Sequence, residues 1–486
     1  MRSPSVPVTF TVDEAHEHLT ALLRDPTSVN PPDWRIDWAD GPWPIKAYAG
    51  GERVPLGPGR LSRLLNLSLA VTRVRFAPGG LAPTPSGRSA APQGPRLVMR
   101  RPIPSGGSMY PTECYVLESG SRAWHYDPYR HELTGLARPE AATALRRSLG
   151  LDERALLPVT VLVLTSRFWK NFYKYGEFAH RLGTIDAGVA LGRLVRLGRA
   201  EYGAVDVRTE FADDVLDEGL GLDGRDESAY AVIGLGPALA SSGAAVNGER
   251  PPVLIERSRR IKRSPVFEAI QTAARRAEPP SPRQFSQESV DPGAAPPPDD
   301  MVRRTSNGSL FNGRTAGRAA LLSVLRQAEQ ALEELRAVGD VPGLVSLHCA
   351  VRAVEEVTPG WYHYRQGRLT LAEVGDPARE LQRALFADNV NIELAAFTVH
   401  LAAPGDLRPL GGARVHRQTQ LGVGVGIEAL TLAATSAGLG SHTLLGFDVT
   451  RVAGHYDLPD GRAVQAQVCV GPVRPTITWE ISVTQR

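Results

Sequence analysis

Short apolar runs alternate along the chain with longer segments in which apolar side chains recur at helical spacing. Residues 159–165 and 229–235 are continuous apolar runs, which are typical of buried strands. Residues 114–118 and 123–126 also carry strand signals. Residues 184–200 place apolar side chains along one stripe of a helix. The pattern therefore predicts a protein of mixed helices and strands.

Further elements follow from helix caps and from glycine and proline breakers. Thr11 and Glu14 form a capping box ahead of an apolar run. The elements predicted in this way are a helix at 11–24, an irregular Trp- and Pro-rich arm at 33–48, a short helix at 61–70, a loop at 78–95 and an amphipathic helix at 315–338 that ends at Gly339.

The second half of the chain repeats the order of the first half. Residues 124–126 (Trp-His-Tyr) are echoed by 362–364 (Tyr-His-Tyr), and 235–237 (Leu-Gly-Pro) by 470–472 (Val-Gly-Pro). The offset stays within about 235–238 residues, which is the size of a domain. This spacing favours a tandem duplication. Two unrelated α+β domains with chance echoes are the alternative.

The clearest break between the halves lies at 276–300, which is rich in Pro, Ser and Gly and poor in large aliphatic side chains. Such a composition predicts an extended, disordered linker. A chain of 486 residues is long enough for two or three domains. The predicted divisions are an N-terminal arm and helix at 1–60, a first half at 61–250, a helix and proline-rich linker at 251–300, and a second half at 301–486.

Charge and cysteine content limit the classes of partner. The chain has 55 basic and 52 acidic residues, a net charge of +3, so we expect neither nucleic acid nor a membrane surface as a partner. Cys114, Cys349 and Cys469 are too far apart to indicate a disulfide framework or a thiolate metal site. The N-terminus lacks a signal-peptide pattern, and no stretch approaches the roughly 20 apolar residues of a spanning helix. We expect a soluble cytoplasmic protein that holds no metal.

Candidate site residues are divided between the halves. The first half holds the turn 104–107 (Pro-Ser-Gly-Gly), whose small residues let backbone N–H groups approach a planar or anionic ligand, and the pair Lys174-Tyr175. The second half holds 303–306 (Arg-Arg-Thr-Ser), 438–448 and Arg474. Each half lacks what the other has. The division predicts one composite site across an internal pseudo-dimer.

With these motifs in this order, the chain resembles the nitroreductase-like flavoenzymes and, among them, the SagB-type dehydrogenases. The blocks that carry the resemblance are 44–48, 101–111, 124–128, 174–176 and 185–188 in the first half and 303–306, 420–424, 438–448 and 470–475 in the second half. The resemblance implies an α+β fold of two tandem domains, each a mostly antiparallel sheet flanked by helices, that form an intrachain pseudo-dimer. It also implies FMN as the cofactor, and the divided motifs predict one FMN per chain.

The resemblance assigns roles to individual residues. Arg304 and Ser306 would contact the FMN phosphate and ribityl chain, and Arg474 would complete the phosphate clamp. The turn 104–107 would approach the isoalloxazine ring from the opposite half. The full set of implied cofactor-binding residues is Pro104, Ser105, Gly107, Arg303, Arg304, Ser306, Leu445, Gly446 and Arg474.

Lys174 and Tyr175 match the Lys-Tyr pair of the SagB-type dehydrogenases, which oxidise azoline rings in ribosomally made peptides. Converting a thiazoline or oxazoline into an azole removes a proton and a hydride from adjacent ring positions, so a base is needed beside the flavin. A lysine desolvated by the aromatic side chains of 168–173 would have a lowered pKa and could act as that base. Tyr175 could instead relay the proton, orient the ring or serve as the base.

The first hypothesis is therefore an FMN-dependent azoline dehydrogenase. Its substrate would be a modified precursor peptide, with a cyclodehydratase complex as a candidate partner. An NAD(P)H-dependent nitro- or quinone reductase, or another small-molecule oxidase of this type, is the first alternative. The Lys-Tyr pair disfavours a reductase, since hydride drawn from nicotinamide needs no such base. A flavin-free scaffold for peptide-modifying partners is the second alternative, and the intact set of phosphate-binding residues argues against it.

Overall fold

The computed structural model describes residues 11–25, 35–77, 96–118, 122–239, 250–286, 297–458, 461–476 and 479–483. These residues form two α+β halves, each built around one large sheet. The predicted loop at 78–95 lies outside the described residues, as do parts of the predicted arm and linker.

The first half contains eleven of the described strands. They are β1 (Ala47–Ala49), β2 (Arg53–Pro55), β3 (Arg73–Ala77), β4 (Arg96–Arg100), β5 (Thr112–Glu118), β6 (Arg122–Asp127), β7 (Glu132–Gly135), β8 (Leu157–Arg167), β9 (Val205–Arg208), β10 (Glu227–Leu239) and β11 (Val253–Ile255). The described helices that accompany them are α1 (Val12–Arg24), α2 (Arg60–Asn66), α3 (Ala141–Ser148), α4 (Trp169–Tyr175), α5 (Ala179–Tyr202), α6 (Asp213–Leu220) and α7 (Pro265–Ala273).

The second half is smaller. Its described strands are β12 (Ser346–Val351), β13 (Gly360–Arg365), β14 (Arg368–Val374), β15 (Phe397–Pro404), β16 (Gly440–Leu444), β17 (Arg462–Gly471) and β18 (Trp479–Ser482). Its described helices are α8 (Pro298–Arg303), α9 (Arg318–Val338), α10 (Ala378–Ala384), α11 (Gly412–Ser436) and α12 (Val449–Gly454).

The two large sheets have the same strand order. The order is β2-β7-β6-β5-β8-β10-β9 in the first half and β14-β13-β12-β15-β17-β16 in the second. Every neighbouring pair in both sheets is antiparallel. Apart from the added edge strand β2, each strand of the first sheet has a counterpart at the same place in the second. This correspondence confirms the predicted α+β fold of two tandem domains.

The long helices α5 and α11 cross at the seam between the halves, backbone against backbone. A Cβ added to Gly188 would lie 2.2 Å from the carbonyl oxygen of Leu421, and one added to Gly424 would lie 2.2 Å from that of Ile185. Almost all residues of both helices are buried. Gly188 lies in block 185–188 and Gly424 in block 420–424. Two of the sequence blocks that carry the family resemblance therefore form the contact between the halves.

Replacing Gly424 with alanine is expected to separate the helices and to lower the free energy of unfolding. Forcing extra atoms into a packed interior costs about 1–3 kcal/mol, and here the clash is with backbone that cannot rotate away. Gly454, also in a helix, has no atom within 4 Å of an added Cβ and provides the matched control, Gly454→Ala. Urea denaturation of both variants tests this. Equal midpoints for Gly424→Ala and the unaltered chain would contradict the close crossing.

Buried ion pairs also cross the seam. Arg193 Nε lies 2.6 Å from Glu428 Oε1, and the two side chains are 0% and 1% exposed. Asp213 accepts from Arg414 at 2.6 Å and from Arg417 at 2.8 Å. Removing one partner of such a pair costs about 3–5 kcal/mol, because the other charge stays buried alone. Together with a hydrophobic core that runs through both halves, these pairs fix one relative orientation of the halves.

Segments from distant parts of the chain extend the first half. Strand β1 pairs with β11, and β2 joins the large sheet beside β7. Strand β18, near the end of the chain, pairs with β3, which also pairs with β4. The second half therefore supplies one strand of a small three-stranded sheet on the first half.

Most predicted elements are confirmed, although some ends differ. The helix predicted at 11–24 is α1, and both hydrogen bonds of its capping box are present. The helix predicted at 61–70 ends earlier, at Asn66. The reason is local, since the N–H groups of three later residues, 68–70, all bond back to the carbonyl oxygen of Leu65 and close a turn.

Candidate functional site

The turn that follows β4 has an unusual backbone conformation. Gly107, Ser108 and Tyr110 all have positive φ, at 58°, 58° and 49°. Such values cost a residue with a side chain about 1–3 kcal/mol and persist only where surrounding contacts hold them. Arg100 provides one such contact, donating to the hydroxyl of Ser108 at 2.7 Å. The turn is a strained segment of the kind found at functional sites.

Asp186 on α5 holds the start of this turn. Its Oδ2 accepts from the hydroxyl of Ser105 at 2.7 Å, and its Oδ1 accepts from the N–H of Gly106 at 3.0 Å. The Ser105 hydroxyl in turn accepts from the N–H of Tyr110 at 2.8 Å. Burial raises the pKa of Asp186 to about 7, although these hydrogen bonds oppose the rise. Sequence reasoning gave Asp186 no role, and its only signal was its place in the block 185–188.

Lys174 and Tyr175 lie directly over Gly107. A Cβ added to Gly107 would lie 2.1 Å from the Tyr175 hydroxyl oxygen and 2.7 Å from Lys174 Nζ. The structure therefore brings the Lys-Tyr pair and the Pro-Ser-Gly-Gly turn together. Burial raises the pKa of the Tyr175 hydroxyl well above its usual value, and the negative charge of Asp186 adds to the rise. That hydroxyl is protonated at neutral pH.

The aromatic neighbours of Lys174 differ from those expected. Its Nζ lies 4.9 Å from the centre of the Tyr175 ring and 5.8 Å from that of Trp38, in the N-terminal arm. Phe168 and Phe172 instead pack into the core against Phe267. The arm thus takes part in covering the Lys-Tyr pair, a role that the sequence did not indicate.

Lys170, one turn earlier on α4, is fully buried. Its Nζ lies 3.3 Å from Glu113 Oε1 and donates to the carbonyl oxygen of Pro44 at 2.9 Å. Burial lowers the pKa of Lys170 to about 8, while Glu113 acts in the opposite direction. These contacts tie α4 to β5 and to the arm, so Lys170 has a structural role beneath the site.

Arg304 reaches from the second half to the first. Its side chain is 6% exposed, and its Nε donates to the carbonyl oxygen of Pro102 at 2.8 Å. Arg73 donates to the carbonyl oxygen of Arg304 at 2.6 Å. Residues from both halves that the sequence placed in one composite site therefore lie together at the seam.

The surroundings of Arg304 are strongly cationic. Burial lowers its pKa to about 10; Tyr110 opposes this, and the charges of three other arginines add to it. Those arginines are Arg73, Arg100 and Arg193. Within the described parts of the chain, no carboxylate lies at ion-pair distance from Arg304. A buried guanidinium with no carboxylate partner is a site that an anion would stabilise.

The segment after Arg304 runs beside β16. Ser306 and Ser441 form a parallel bridge, and the Ser306 hydroxyl lies 2.6 Å from His442 Nδ1. Burial lowers the pKa of His442 to about 4, and the charge of Arg304 lowers it further, so this imidazole is neutral at neutral pH. His442 orients the hydroxyl of Ser306, which is a role that sequence reasoning did not give it.

The other candidate residues of the second half lie along the same edge. Leu445 and Gly446 follow β16, and a Cβ added to Gly446 would meet no atom within 4 Å. The N–H of Arg474 donates to the carbonyl oxygen of Leu310 at 2.8 Å, which holds Arg474 beside the segment that follows Ser306. Arg303 differs from its neighbour, since its side chain is 69% exposed and pairs with Asp300.

The equivalent place in the opposite copy is occupied by protein contacts. Thr209 and Glu210 directly follow β9, just as Leu445 and Gly446 directly follow β16. The N–H groups of Thr209 and Glu210 donate to the Asp340 carboxylate at 2.7 and 3.1 Å. The backbone groups that correspond to those of Leu445 and Gly446 are thus tied to a carboxylate. This arrangement supports a single site.

No metal site or membrane helix emerges from the described residues. They contain no group of three or more His, Cys, Asp or Glu side chains placed to hold a metal ion. Within the same ranges, none of the helices combines the length and the apolar character that a membrane crossing demands.

Comparison with known proteins identifies the fold. No protein-family profile matches the sequence. A protein from Anabaena variabilis assigned as a nitroreductase matches with a TM-score of 0.70 and 19% identity, over 95% of this chain and 99% of that one. A chain of the Escherichia coli microcin synthetase McbBCD complex with truncated pro-MccB17 bound matches 49% of this chain and 76% of its own length, at 19% identity and a TM-score of 0.27. The fold is nitroreductase-like over almost the whole chain.

Sequence similarity to a curated protein covers a shorter region. The chain is 30% identical over 100 residues to the microcin B17-processing protein McbC of Escherichia coli, and the match covers 18% of this chain and 37% of McbC. The chain therefore spans less than half of the length of the curated relative that it matches. Together, the fold and this similarity confirm the resemblance predicted from the sequence.

Proposed function

This chain has a tandem nitroreductase-like fold and sequence similarity to the microcin B17-processing protein McbC, and from that premise we propose that it is an FMN-dependent oxidoreductase that converts azoline rings into azoles in a ribosomally made peptide. One observation carries the proposal. The Arg304 guanidinium of the second half donates to Pro102, at the start of the turn whose Gly107 lies beneath Lys174 and Tyr175 in the first half. The groups proposed for anion binding and for proton transfer thus meet at one seam.

The residues present fit FMN. Arg304 lies buried among cations, and no carboxylate of the described residues pairs with it, which suits a phosphate group. Ser306 offers a hydroxyl held by His442. Gly446 leaves its backbone groups open to close approach by a flat ring, since an added Cβ there would meet no atom within 4 Å. Pro104, Ser105 and Leu445 complete the proposed contacts, with Arg474 at the phosphate. Arg303 would contribute only through its long-range charge.

The chain's own residues would supply the proton transfer. Bound FMN would accept the hydride from the azoline ring. The neutral amine of Lys174 would take the proton from the adjacent ring carbon, leaving the aromatic azole. Tyr175 would remain protonated, because its pKa is raised, and would donate a hydrogen bond that orients the ring. Trp38 and the turn would exclude water from one side of the ring.

A peptide substrate is supported by the similarity to a microcin-processing protein. An azoline must be made from a serine, threonine or cysteine side chain before it can be oxidised. The reaction that supplies the substrate is therefore a cyclodehydration of the peptide, and we propose an enzyme or complex of that class as the partner.

The direct test is mass spectrometry of an azoline-bearing peptide incubated with the enzyme, which should show the loss of two hydrogens per ring. The purified chain is also expected to hold one FMN, because the opposite copy ties its corresponding amides to Asp340. Released flavin measured against protein concentration checks this ratio. Two flavins per chain would contradict the single site. Rapid NADPH consumption without hydrogen loss from the peptide would favour the reductase.

A further inference from the structure

We propose that Asp186 is a positioning residue, whose carboxylate holds the 105–110 turn in the conformation that places Gly107 beneath Lys174 and Tyr175. The inference rests on the proposed function for the identity of the reaction. The contacts that carry it are independent of any bound group.

The carboxylate holds the start of the turn. One oxygen accepts from Ser105 and the other from Gly106, so two consecutive residues are fixed to α5. The Ser105 hydroxyl accepts from Tyr110 at 2.8 Å, which closes the turn on itself. The buried Asp186 side chain therefore fixes the start of the turn, and Ser105 connects that anchor to Tyr110.

The turn has little room to move once it is held there. A Cβ added to Gly106 would lie 2.9 Å from Leu182 Cδ2, one helical turn before Asp186 on α5. On the opposite side, the position of a Cβ on Gly107 is taken by the functional groups of Lys174 and Tyr175. The turn is enclosed between α5 and the end of α4. A shift of the turn must therefore move the Lys-Tyr pair.

The strain in the turn explains why an anchor is needed. Ser108 and Tyr110 carry side chains at positive φ, which the free segment would relax. The opposite copy supports the same inference, because the residue equivalent to Asp186 in α11 is Gly422. A Cβ added to Gly422 would lie 3.3 Å from Val345 Cγ2. That copy also has no Lys-Tyr pair. The anchor and the pair that it positions are absent together.

The experiment compares Asp186→Ala with Asp186→Asn. Alanine removes both acceptors, whereas the asparagine amide keeps one acceptor for Gly106 and offers a donor to the Ser105 hydroxyl. Asp217, in α6, provides the matched control. It is also buried, at 1% exposed, and it accepts one hydrogen bond from the Ser228 hydroxyl and one from the Ala229 N–H, each at 2.8 Å. Asp217→Ala is the control variant, or Asp217→Asn if alanine prevents folding. If Asp186→Ala does not fold, Asp186→Ser replaces it, because the serine hydroxyl cannot reach both Ser105 and Gly106.

The first readout is amide hydrogen exchange of the peptide spanning 105–110, in flavin-free protein. Exchange is expected to be about 10–100-fold faster in Asp186→Ala than in the unaltered chain and near normal in Asp186→Asn. The second readout is azole formation, where kcat should fall by about 10–100-fold in Asp186→Ala with KM changed much less, because a misplaced reacting group lowers the chemical step. The Asp217 control should leave both readouts unchanged.

Unchanged exchange in Asp186→Ala would overturn the inference, as would an equal loss of kcat in the Asp217 control. A loss of kcat in Asp186→Asn as large as in Asp186→Ala would also overturn it, because charge rather than positioning would then be needed. If the unaltered enzyme forms no azole, the proposed function fails, and the exchange comparison still decides the role of Asp186.

Discussion

Lys174→Ala and Tyr175→Phe will each slow azole formation by about 10²–10⁴-fold while FMN remains bound, which is the range that a positioned general acid or base contributes. Both side chains end within 3 Å of the space above Gly107, at the seam where Arg304 enters from the other half. The side-chain hydrogen bonds of Arg304 and Ser306 go to Pro102 and His442 and involve neither Lys174 nor Tyr175. Loss of either group should therefore affect the chemical step and not retention of the cofactor.

The two variants should differ in their response to pH. Because its pKa is raised, the Tyr175 hydroxyl is protonated throughout the neutral range and is lost as a donor only at strongly alkaline pH. Tyr175→Phe should therefore lower the rate evenly across neutral pH. Lys174→Ala should remove the group that must lose its proton, and exogenous primary amines are expected to restore part of the activity.

The measurement is single-turnover conversion of an azoline peptide, with the flavin absorbance recorded in the same sample. Tyr129→Phe is a suitable control, since Tyr129 is exposed and lies in the turn between β6 and β7. Normal turnover in both Lys174→Ala and Tyr175→Phe would refute the assigned roles. Loss of flavin from either variant would show that the pair holds the cofactor instead.

Arg304→Ala is expected to weaken FMN binding by on the order of 10²–10³-fold. Truncating one partner of a buried, hydrogen-bonded charge pair costs about 2–5 kcal/mol, and each 1.4 kcal/mol is a factor of ten. Arg303 is the natural control, because the neighbouring side chain is 69% exposed and paired with Asp300. Arg303→Ala should change the dissociation constant by less than about threefold.

Stability of the flavin-free protein separates a binding role from a structural one. Burial and the charges of Arg73, Arg100 and Arg193 already disfavour the charged form of Arg304, so its removal relieves repulsion. The flavin-free Arg304→Ala variant should therefore unfold at a urea concentration close to that of the unaltered chain. Titration of FMN by fluorescence quenching gives the affinity. Equal affinities for the Arg303 and Arg304 variants would refute the assignment of the phosphate to Arg304.

Local sequence signals predicted the fold well because each depends on neighbouring residues. The capping box of Thr11 and Glu14 starts a helix where expected, and the apolar run at 159–165 lies inside a buried strand. The helix predicted at 61–70 is longer than the observed helix, which ends at Asn66. Hydrogen bonds back to Leu65 close the chain into a turn there, which composition does not reveal.

The site was less predictable because its contacts join distant segments. Arg303 and Arg304 are equivalent in the sequence, yet the end of α8 places one beside Asp300 and turns the other toward Pro102. Arg73, in β3, donates to the carbonyl oxygen of Arg304, which lies 231 positions later in the chain. Asp186 was overlooked for the same reason, since its partners lie 80 and 81 positions earlier in the chain.

The contact between Asp340 and the amides after β9 has a consequence for how this protein can change. In a homodimer of identical chains, a single substitution alters two sites at once, and both must keep working. Here a substitution in either half alters one location. The copy whose amides are bound by Asp340 can accumulate changes that would destroy a catalytic site. It then serves as a dedicated support, while the proposed site at Arg304 is free to change separately.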